Sequence, residues 1–407
     1  MTRMKDSGIE WIGEVPEEWG IVRLKDCLEI NNGKDYKDIE TDETGYPVIG
    51  SGGQFAYARK YLHDGTAILL GRKGTIDKPL YIEGKFWTVD TMFYGVPKSG
   101  IHAKFIYYVA LQIPFGLYST NTALPSMTQT DLQNHHFVMP PLDEQTQIAD
   151  FLDKKVAQLD KVKSLLEEQI KTLEDYRQSL IYETVTKGLD KTVPLKDSGV
   201  DWIGQIPEGW GVKSFKYAVT IKDGTHDTPE YFVEGVPLIT SKNLDSIHNE
   251  IDFEGAKNIS FDDHRKISQR SDVKKGDILM PMIGTVGGAT QVLVEKEFSI
   301  KNVALFKVAH DEALSRFLYY QLNSSWINSQ LSFMMSGGVQ SFISLNMLSK
   351  VKLIIPTSEE IKKISLFLDS GVGKINQMIF IKKEQIENIN KQRQTLIYDY
   401  VTGKRRV

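Results

Sequence analysis

A seven-residue spacing of apolar positions dominates two long polar stretches of this chain. Between positions 143 and 187 the sequence is rich in Glu, Lys, Gln and Leu and contains neither Gly nor Pro. A second stretch near the C-terminus keeps the spacing, with one interruption at Lys382. The residues at the repeated position are Leu152, Leu159, Leu166, Leu173 and Leu180, followed by Leu368, Ile375, Ile389 and Leu396. This heptad pattern predicts two coiled-coil helices, and about 40 residues at 1.5 Å each would span roughly 60 Å.

The position three residues after a heptad residue is predicted to complete the helix seam. Val162, Tyr176 and Met378 are apolar residues at this companion position. Gln169 and Gln385 also occupy it, and a buried polar residue there could fix the register of the two helices. Exposure of both glutamines to solvent is the alternative.

Two pairs of near-identical segments show that the chain is a tandem duplication. Residues 5–25 and 196–216 are the opening segments, which read KDSGIEWIGEVPEEWGIVRLK and KDSGVDWIGQIPEGWGVKSFK. Residues 177–188 and 393–404 are the closing segments, RQSLIYETVTKG and RQTLIYDYVTGK. The sequences between opening segment and helix differ strongly. A constant frame around divergent inserts predicts one scaffold with two recognition surfaces, whose two long helices pair antiparallel.

The inserts are predicted to be mixed, β-rich domains, which gives an α+β fold overall. Apolar runs at 66–70, 80–83, 277–280 and 291–294 lie between Gly and Asp residues and suit short strands, while 105–112 and 313–323 suit short helices. The predicted organisation is a first domain at 1–142, a first spacer helix at 143–190, a second domain at 191–356, and a second helix with the C-terminal tail at 357–407.

Composition narrows the class of protein. The 407 residues are 41% hydrophobic and 25% charged, as in ordinary globular domains. No apolar run approaches the roughly 20 residues of a membrane helix, and no signal peptide is recognisable, so we expect a cytoplasmic protein without membrane contact. Cys27 is the single cysteine and cannot form an internal disulfide. The net charge of −4 means that any nucleic-acid contact must use local cationic patches or a basic partner.

Sequence signatures of catalysis are missing from the chain. There is no Walker lysine motif, no GxGxxG after a strand, and no Asn-Pro-Pro-Tyr or Asp-Pro-Pro-Tyr motif of adenine methyltransferases. His135 and His136 are adjacent and would point apart on a strand, so they make a poor metal pair. We therefore predict a non-catalytic protein with no bound metal.

Gly-flanked polar loops are the candidate functional elements. They occur at 50–61, 71–75, 223–229, 241–243, 299–302 and 336–341. Gln and Asn can bond adenine edges, Arg and Lys can read guanine, and backbone amides can hold phosphate, although ordinary turn chemistry is the alternative for any one loop. The predicted DNA-contacting residues are Ser51, Gln54, Arg59, Arg72, Lys73 and Thr75 in the first insert, and His226, Thr228, Lys242, Asn243, Lys301, Asn302 and Gln340 in the second.

The sequence resembles the specificity subunit of type I restriction-modification systems. The resemblance is carried by SGIEWIGEVPEEW and SGVDWIGQIPEGW, by MPPLDEQTQIADFLD at 139–153, and by RQSLIYETVTKGLDK at 177–191. The first insert resembles one family of target-recognition domain through GSGG, GRKGT and VDTMFY, whereas the other insert resembles a different family through DGTHDTP, GDIL and GTVGG. The segment IPTSEEIKKISLFLD at 355–369 departs from the PPLDEQ pattern.

The resemblance implies a division of labour with other subunits. Each target-recognition domain would read one half of a bipartite double-stranded DNA target, while the helices would set the spacer and dock two methyltransferase subunits. S-adenosylmethionine, ATP and Mg would be bound by the methyltransferase and restriction/translocase partners, with no cofactor on this chain. Two other hypotheses remain open at this stage, an enzyme with unrecognised motifs and a coiled-coil scaffold that binds only protein.

Overall fold

A computed structural model describes residues 3–42, 44–118, 125–284, 287–335 and 342–407. The chain forms two compact units. Unit 1 comprises the chain up to Glu167 together with Lys383–Val407, and unit 2 is Glu168–Lys382. Each unit therefore contains one insert and a part of both long helices. No helix in the described ranges is both long and apolar enough to cross a bilayer.

Unit 1 is built mainly from short strands. Its strands are β1 Met4–Asp6, β2 Glu14–Pro16, β3 Gly20–Arg23, β4 Leu28–Asn32, β5 Glu40–Thr41, β6 Tyr46–Gly50, β7 Gly53–Ala58, β8 His63–Asp64, β9 Ala67–Gly71, β10 Leu80–Ile82, β11 Lys85–Thr88, β12 Met92–Pro97 and β13 His136–Met139. Its helices are α1 Leu24–Cys27, α2 Ala103–Ala110, α3 Gln129–Asn134 and the first part of α4, Leu142–Lys187, with 3-10 turns at Lys37–Ile39 and Phe115–Leu117. This mixed, β-rich insert confirms the predicted fold class.

Unit 2 has the same kind of structure. Its strands are β14 Leu195–Asp197, β15 Gln205–Pro207, β16 Gly211–Ser214, β17 Thr220–Asp223, β18 Val236–Ile239, β19 Leu244–Asp245, β20 Glu250–Ile251, β21 Lys257–Ile259, β22 Ile278–Pro281, β23 Thr290–Gln291, β24 Ser299–Ile300, β25 Val303–Lys307 and β26 Lys352–Ile355. Its helices are α5 Phe261–Ser271, α6 Glu312–Leu322, α7 Ser325–Met335, α8 Leu345–Lys350 and α9 Ser358–Val401, which continues into unit 1. Further 3-10 turns lie at Phe215–Tyr217 and Ser241–Asn243.

Much of the sheet topology of unit 1 is repeated in unit 2. A four-stranded antiparallel sheet has the order β10-β9-β12-β4 in unit 1 and β23-β22-β25-β17 in unit 2. Beside it, β6 pairs with β11 in parallel, and β18 pairs with β24 in parallel. The opening segments form the hairpins β1-β2 and β14-β15, and β3-β13 matches β16-β26. The inserts are therefore homologous folds whose sequences have diverged.

The helices α4 and α9 pair antiparallel. In unit 1, Arg393 Nε lies 3.4 Å from Asp160 Oδ1. In unit 2, Arg177 Nη1 donates to Asn376 Oδ1 at 2.7 Å, and Lys382 Nζ donates to Gln169 Oε1 at 2.5 Å. Positions that rise along α4 thus meet positions that fall along α9, which confirms the predicted antiparallel arrangement.

The predicted companion position was wrong, although the heptad residues do face the seam. Leu152, Leu368 and Ile375 are buried, and the other heptad residues, Leu159, Leu166, Leu173, Leu180, Ile389 and Leu396, are half-buried. Val162, Tyr176 and Met378 are 47%, 57% and 52% exposed.

The true companions lie four residues after a heptad residue, as Val156, Val372 and Ile379 show by their burial. In heptad terms the leucines occupy the d position, and the next a position follows four residues later. Gln169 and Gln385 consequently face solvent.

A repeated Asp at the start of each helix attaches the helix to its insert. Asp153 accepts hydrogen bonds from Tyr108 Oη at 2.8 Å and from Lys104. In unit 2, Asp369 accepts from Tyr320 Oη at 2.7 Å and from Arg316 Nη1 at 2.9 Å. Burial is the main cause that raises the pKa of both tyrosines, and the hydrogen bond to the carboxylate is the second. The aspartate that ends the FLD sequence thus makes the same kind of contact in both copies.

The opening segments are held by a second repeated contact. Trp19 Nε1 donates to Glu144 Oε2 at 3.0 Å, and Trp210 Nε1 donates to Glu360 Oε1 at 2.9 Å. Gln145 of the PPLDEQ sequence is buried, donating to Pro140 O at 2.9 Å and accepting from His102 N at 2.9 Å. The departure from PPLDEQ in the second copy keeps the glutamate that binds the tryptophan.

Candidate nucleic-acid interface

Several loops of unit 1 converge where the strands of its two sheets end. We call residues 33–36, 50–55, 72–75, 89–91 and 125–127 the unit 1 recognition edge. Gly33 N donates to Met92 O at 3.0 Å, and Lys34 N donates to Thr88 O at 2.9 Å. A Cβ at Gly33 would lie 2.0 Å from Val89 O, so only glycine allows this approach. The Gly residues of this region therefore bring separate loops together.

The GRKGT loop is fixed to its neighbours through the backbone. Arg72 N donates to Thr91 O at 2.8 Å, and Met127 N donates back to Arg72 O at 2.9 Å. Lys73 and Ser126 form an isolated antiparallel bridge. Lys73 and Thr75 are exposed. The loop therefore presents these two side chains from a rigid frame.

The side chain of Arg72 is held by more contacts within the protein than the exposed side chain of Lys73. It is half-buried, with its guanidinium carbon 5.7 Å from the centre of the Phe93 ring and Nη1 3.4 Å from Asp90 O. These contacts orient a planar fork that is suited to guanine or phosphate.

The GSGG loop adds an aromatic residue that sequence reasoning missed. Gln54 is exposed and Ser51 half-exposed at this loop, as predicted residues of the interface. Phe55 is 55% exposed beside them and meets Tyr36 edge to face at 5.3 Å. Phe55 lies two residues after Gly53, the last glycine of the turn, and this proximity is the signal that could have revealed it.

Arg59 lies away from this edge. On β7, Gln54 pairs with Ile49, whereas the neighbour of Arg59, Ala58, pairs with Tyr46 at the opposite end of the strand. Arg59 Nη2 donates to Glu40 O at 3.3 Å. At about 3.4 Å per residue, Arg59 is roughly 17 Å from Gln54 along the strand.

Unit 2 repeats the backbone frame of the first edge. We call residues 224–228, 282–284, 300–302 and 342–343 the unit 2 recognition edge. Gly224 N donates to Val303 O at 3.1 Å and Thr225 N donates to Ile300 O at 3.0 Å, as Gly33 and Lys34 do in unit 1. A Cβ at Gly224 would also lie 2.0 Å from a carbonyl oxygen, that of Ile300.

His226 and Asn302 are joined inside this edge. His226 Nδ1 lies 2.9 Å from Asn302 Oδ1, and its Nε2 lies 3.0 Å from Asp223 Oδ2. Asp223 is buried and also paired with Arg270. Asn302 has φ of 55°, a left-handed conformation that is rare outside glycine. The two predicted DNA contacts therefore hold one another in place.

The remaining predicted residues of unit 2 fall into different environments. Thr228 is exposed and accepts a hydrogen bond from Lys301, which keeps both at the edge. Lys242 is exposed on the turn at 241–243. Gln340 lies outside the described residues.

Asn243 requires a correction. It is 7% exposed, its Oδ1 accepts from Thr240 N at 3.0 Å, and its Nδ2 donates to Asp252 O at 3.2 Å. Its amide is used to close a capping box with Thr240. Asn243 therefore stabilises the turn from inside and does not present its amide to a ligand.

The described residues show no grouping of three His, Cys, Asp or Glu side chains that could hold a metal ion. The sequence did not favour His135 as a metal ligand. In the structure it is buried beneath Trp11, and its Nδ1 is hydrogen-bonded to Tyr118 Oη at 2.8 Å. Burial lowers its pKa to about 4.

The fold defines a duplicated protein, in which each unit combines a divergent β-rich insert with parts of two antiparallel helices. Residues 16–174 match the family model of the type I restriction modification DNA specificity domain. Over nearly its whole length the chain is similar to the specificity subunits of type I restriction-modification systems.

Known proteins similar to this chain agree over nearly its whole length. The type I restriction enzyme MjaVIII specificity subunit of Methanocaldococcus jannaschii is 26% identical over 97% of this chain and 94% of its own. The putative MjaX specificity subunit of the same organism is 26% identical over 97% of this chain and 96% of its own. A chain from a solved structure on complex assembly and conformational transition of the type I R-M system has the same fold, with a TM-score of 0.67 and 15% identity, over 95% of this chain and 98% of that one.

Proposed function

We propose that this chain reads a bipartite DNA target, with the recognition edge of each unit reading one half. The observation that carries the proposal is the repeated backbone frame, which positions different side chains at equivalent places in two homologous units. A shared frame keeps the approach to DNA constant, while exchanged side chains change the bases that are read.

The long helices supply the spacer and the docking surface in this proposal. α4 is 46 residues long, which corresponds to about 70 Å. Nine large apolar residues along the two helices keep between 45% and 63% exposure, namely Leu142, Val162, Leu165, Tyr176, Leu366, Phe367, Met378, Phe380 and Ile381. Neighbouring exposed apolar residues, such as Leu366 with Phe367 and Phe380 with Ile381, are candidates for contact with another protein. We assign this contact to methyltransferase subunits.

Catalysis belongs to the partner subunits in this account. The methyltransferase would bring S-adenosylmethionine, and the restriction/translocase subunit would bring ATP and Mg. The net charge of −4 favours partner subunits as the source of much of the phosphate contact, because phosphate neutralisation requires Lys and Arg.

Methylome sequencing of cells that express this chain with its methyltransferase subunit tests the proposal. The expected result is one methylated motif made of two specific parts around an unread spacer. Sequence-independent methylation, or none from an assembled complex, would favour a protein-only scaffold. Methylation by the purified chain alone would favour the enzyme hypothesis.

A further inference from the structure

The two recognition edges differ in chemistry at one structurally equivalent pair of positions. Arg72 N donates to Thr91 O, and Met282 N donates to Asn302 O at 3.2 Å. Met127 N returns a bond to Arg72 O, and Ile343 N returns one to Met282 O at 2.9 Å. These matched bonds align the two loops residue by residue.

The next residue of each loop forms an isolated bridge in both units. Lys73 is bridged to Ser126 in unit 1, and Ile283 is bridged to Phe342 in unit 2. The cation of Lys73 and the hydroxyl of Ser126 in unit 1 are therefore replaced by two apolar side chains in unit 2. Residues that face one another across an antiparallel bridge point to the same side, with Cβ atoms about 5 Å apart.

The apolar pair is not part of the core of unit 2. Ile283 is 38% exposed and Phe342 is 45% exposed. Neither side chain can bond to phosphate or to the polar edge of a base. In the major groove, the 5-methyl group of thymine is the base feature that apolar side chains contact.

We propose that Ile283 and Phe342 form a thymine-methyl contact in the half-target read by unit 2. This inference rests on the proposed function, since it requires the unit 2 recognition edge to face DNA. The specificity of unit 2 would then depend partly on contact with a methyl group. In unit 1 the cationic Lys73 occupies the equivalent position.

Deoxyuridine substitution tests the contact directly, because deoxyuridine lacks only the 5-methyl group. The assembled complex of full-length chain and methyltransferase is titrated with duplexes in which each thymine of the second half-target is replaced in turn. One position should lose about fourfold in affinity, the equivalent of about 0.8 kcal/mol for one buried methyl group. Phe342→Leu should retain this discrimination.

The chain offers a matched exchange of chemistry as the second arm. The double variant Ile283→Lys with Phe342→Ser installs the unit 1 residues in unit 2, and it should abolish the discrimination between thymine and deoxyuridine. The control, Lys73→Ala in unit 1, should leave that discrimination intact. Thermal unfolding and assembly with methyltransferase identify any variant that fails to fold, and Phe342→Ala then takes its place.

The failure of this inference can be told apart from failure of the proposed function. A complex that binds its target selectively but is indifferent to deoxyuridine at every position, or whose second half-target has no thymine on either strand, overturns the methyl contact alone. Discrimination that survives in the double variant also overturns it. A complex with no sequence selectivity overturns the proposed function itself.

Discussion

His226 Nδ1 lies 2.9 Å from Asn302 Oδ1, and this contact ties the DGTHDTP loop to the end of β24. The same ring is bonded through Nε2 to buried Asp223. The unit 2 recognition edge is thus preorganised by side chains that the sequence suggested as direct DNA contacts.

Loss of this tie should weaken DNA binding without unfolding the unit. His226→Ala removes two hydrogen bonds, one of them to a carboxylate, and we expect a loss of about 1 to 3 kcal/mol in binding by the assembled complex. Glu234→Ala, at an exposed position of the same unit outside the recognition edge, is the control and should have little effect. Equal losses for both variants would show that the ring does not organise the loop.

Two substitutions of Asn302 can separate the effect of its left-handed backbone on stability from the effect of its side-chain bond to His226. Asn302→Gly keeps the left-handed conformation but removes the bond to His226, whereas Asn302→Ala also places a Cβ in a strained conformation. Urea unfolding should find the alanine variant about 1 kcal/mol less stable than the glycine variant. The same stability for both would contradict the strain at this residue.

The buried His135 predicts a loss of stability in mild acid. Its pKa is lowered by burial to about 4, so the unfolded chain takes up the proton first as pH falls below about 6.5. Stability is therefore complete above pH 6.5 and declines towards pH 4, by about 2 kcal/mol between pH 7.5 and 5. Urea unfolding at both pH values should show this difference, and His135→Gln should reduce it. His136→Gln, at an exposed position, should leave it unchanged.

The assignment of residues to the helix seam can be tested by comparing a buried residue with an exposed one. Leu152→Ala should destabilise unit 1 by about 2 to 5 kcal/mol, because Leu152 is fully buried. Val162→Ala should change stability by less than about 0.5 kcal/mol, because Val162 faces solvent. Chemical denaturation of both variants provides the measurement, and a reversed order would place Val162 in the seam.

Docking of methyltransferase should depend on apolar residues that stability does not require. Tyr176 and Phe367 line one surface depression of unit 2 together with Leu180 and Leu189. Tyr176→Ser with Phe367→Ser should weaken assembly at least tenfold, as expected when interface anchors are truncated. Leu117→Ser, at a still more exposed position of unit 1, serves as control. Sedimentation of the mixed subunits measures the complex, and undiminished assembly of the double variant would remove this surface from the interface.

The helices were the most predictable part of the structure, because heptad spacing is local information. The spacing of single leucines did not distinguish a from d, and Val162 was therefore assigned to the seam in place of Val156. The opening segments and the FLD sequence indicated the duplication. The contacts of Trp19 with Glu144 and of Tyr108 with Asp153 could not be predicted, because they join residues far apart in the sequence.

The recognition edges were only partly predictable. Polar residues near glycine pointed to Lys73 and Thr75, which the structure presents on the surface. The same rule selected Asn243, since a turn-closing amide and a ligand-binding amide have the same sequence signature. Phe55, Ile283 and Phe342 were missed because the candidate contacts were chosen among polar and cationic residues near glycine.

Duplication of the first insert within the chain tests most directly whether each unit reads its own half of the target. Leu24 N donates to His135 O, and Phe215 N donates to Val351 O, each at 2.9 Å, so the segments that these bonds close are equivalent. Residues 26–134 can therefore replace residues 217–350 within an unchanged frame of opening segments and helices. Methylome sequencing of cells that express this chain with methyltransferase should show a palindromic motif, in which the first half-target appears twice around the spacer. A motif with the original second half, or with both halves altered, would contradict independent reading by the two units.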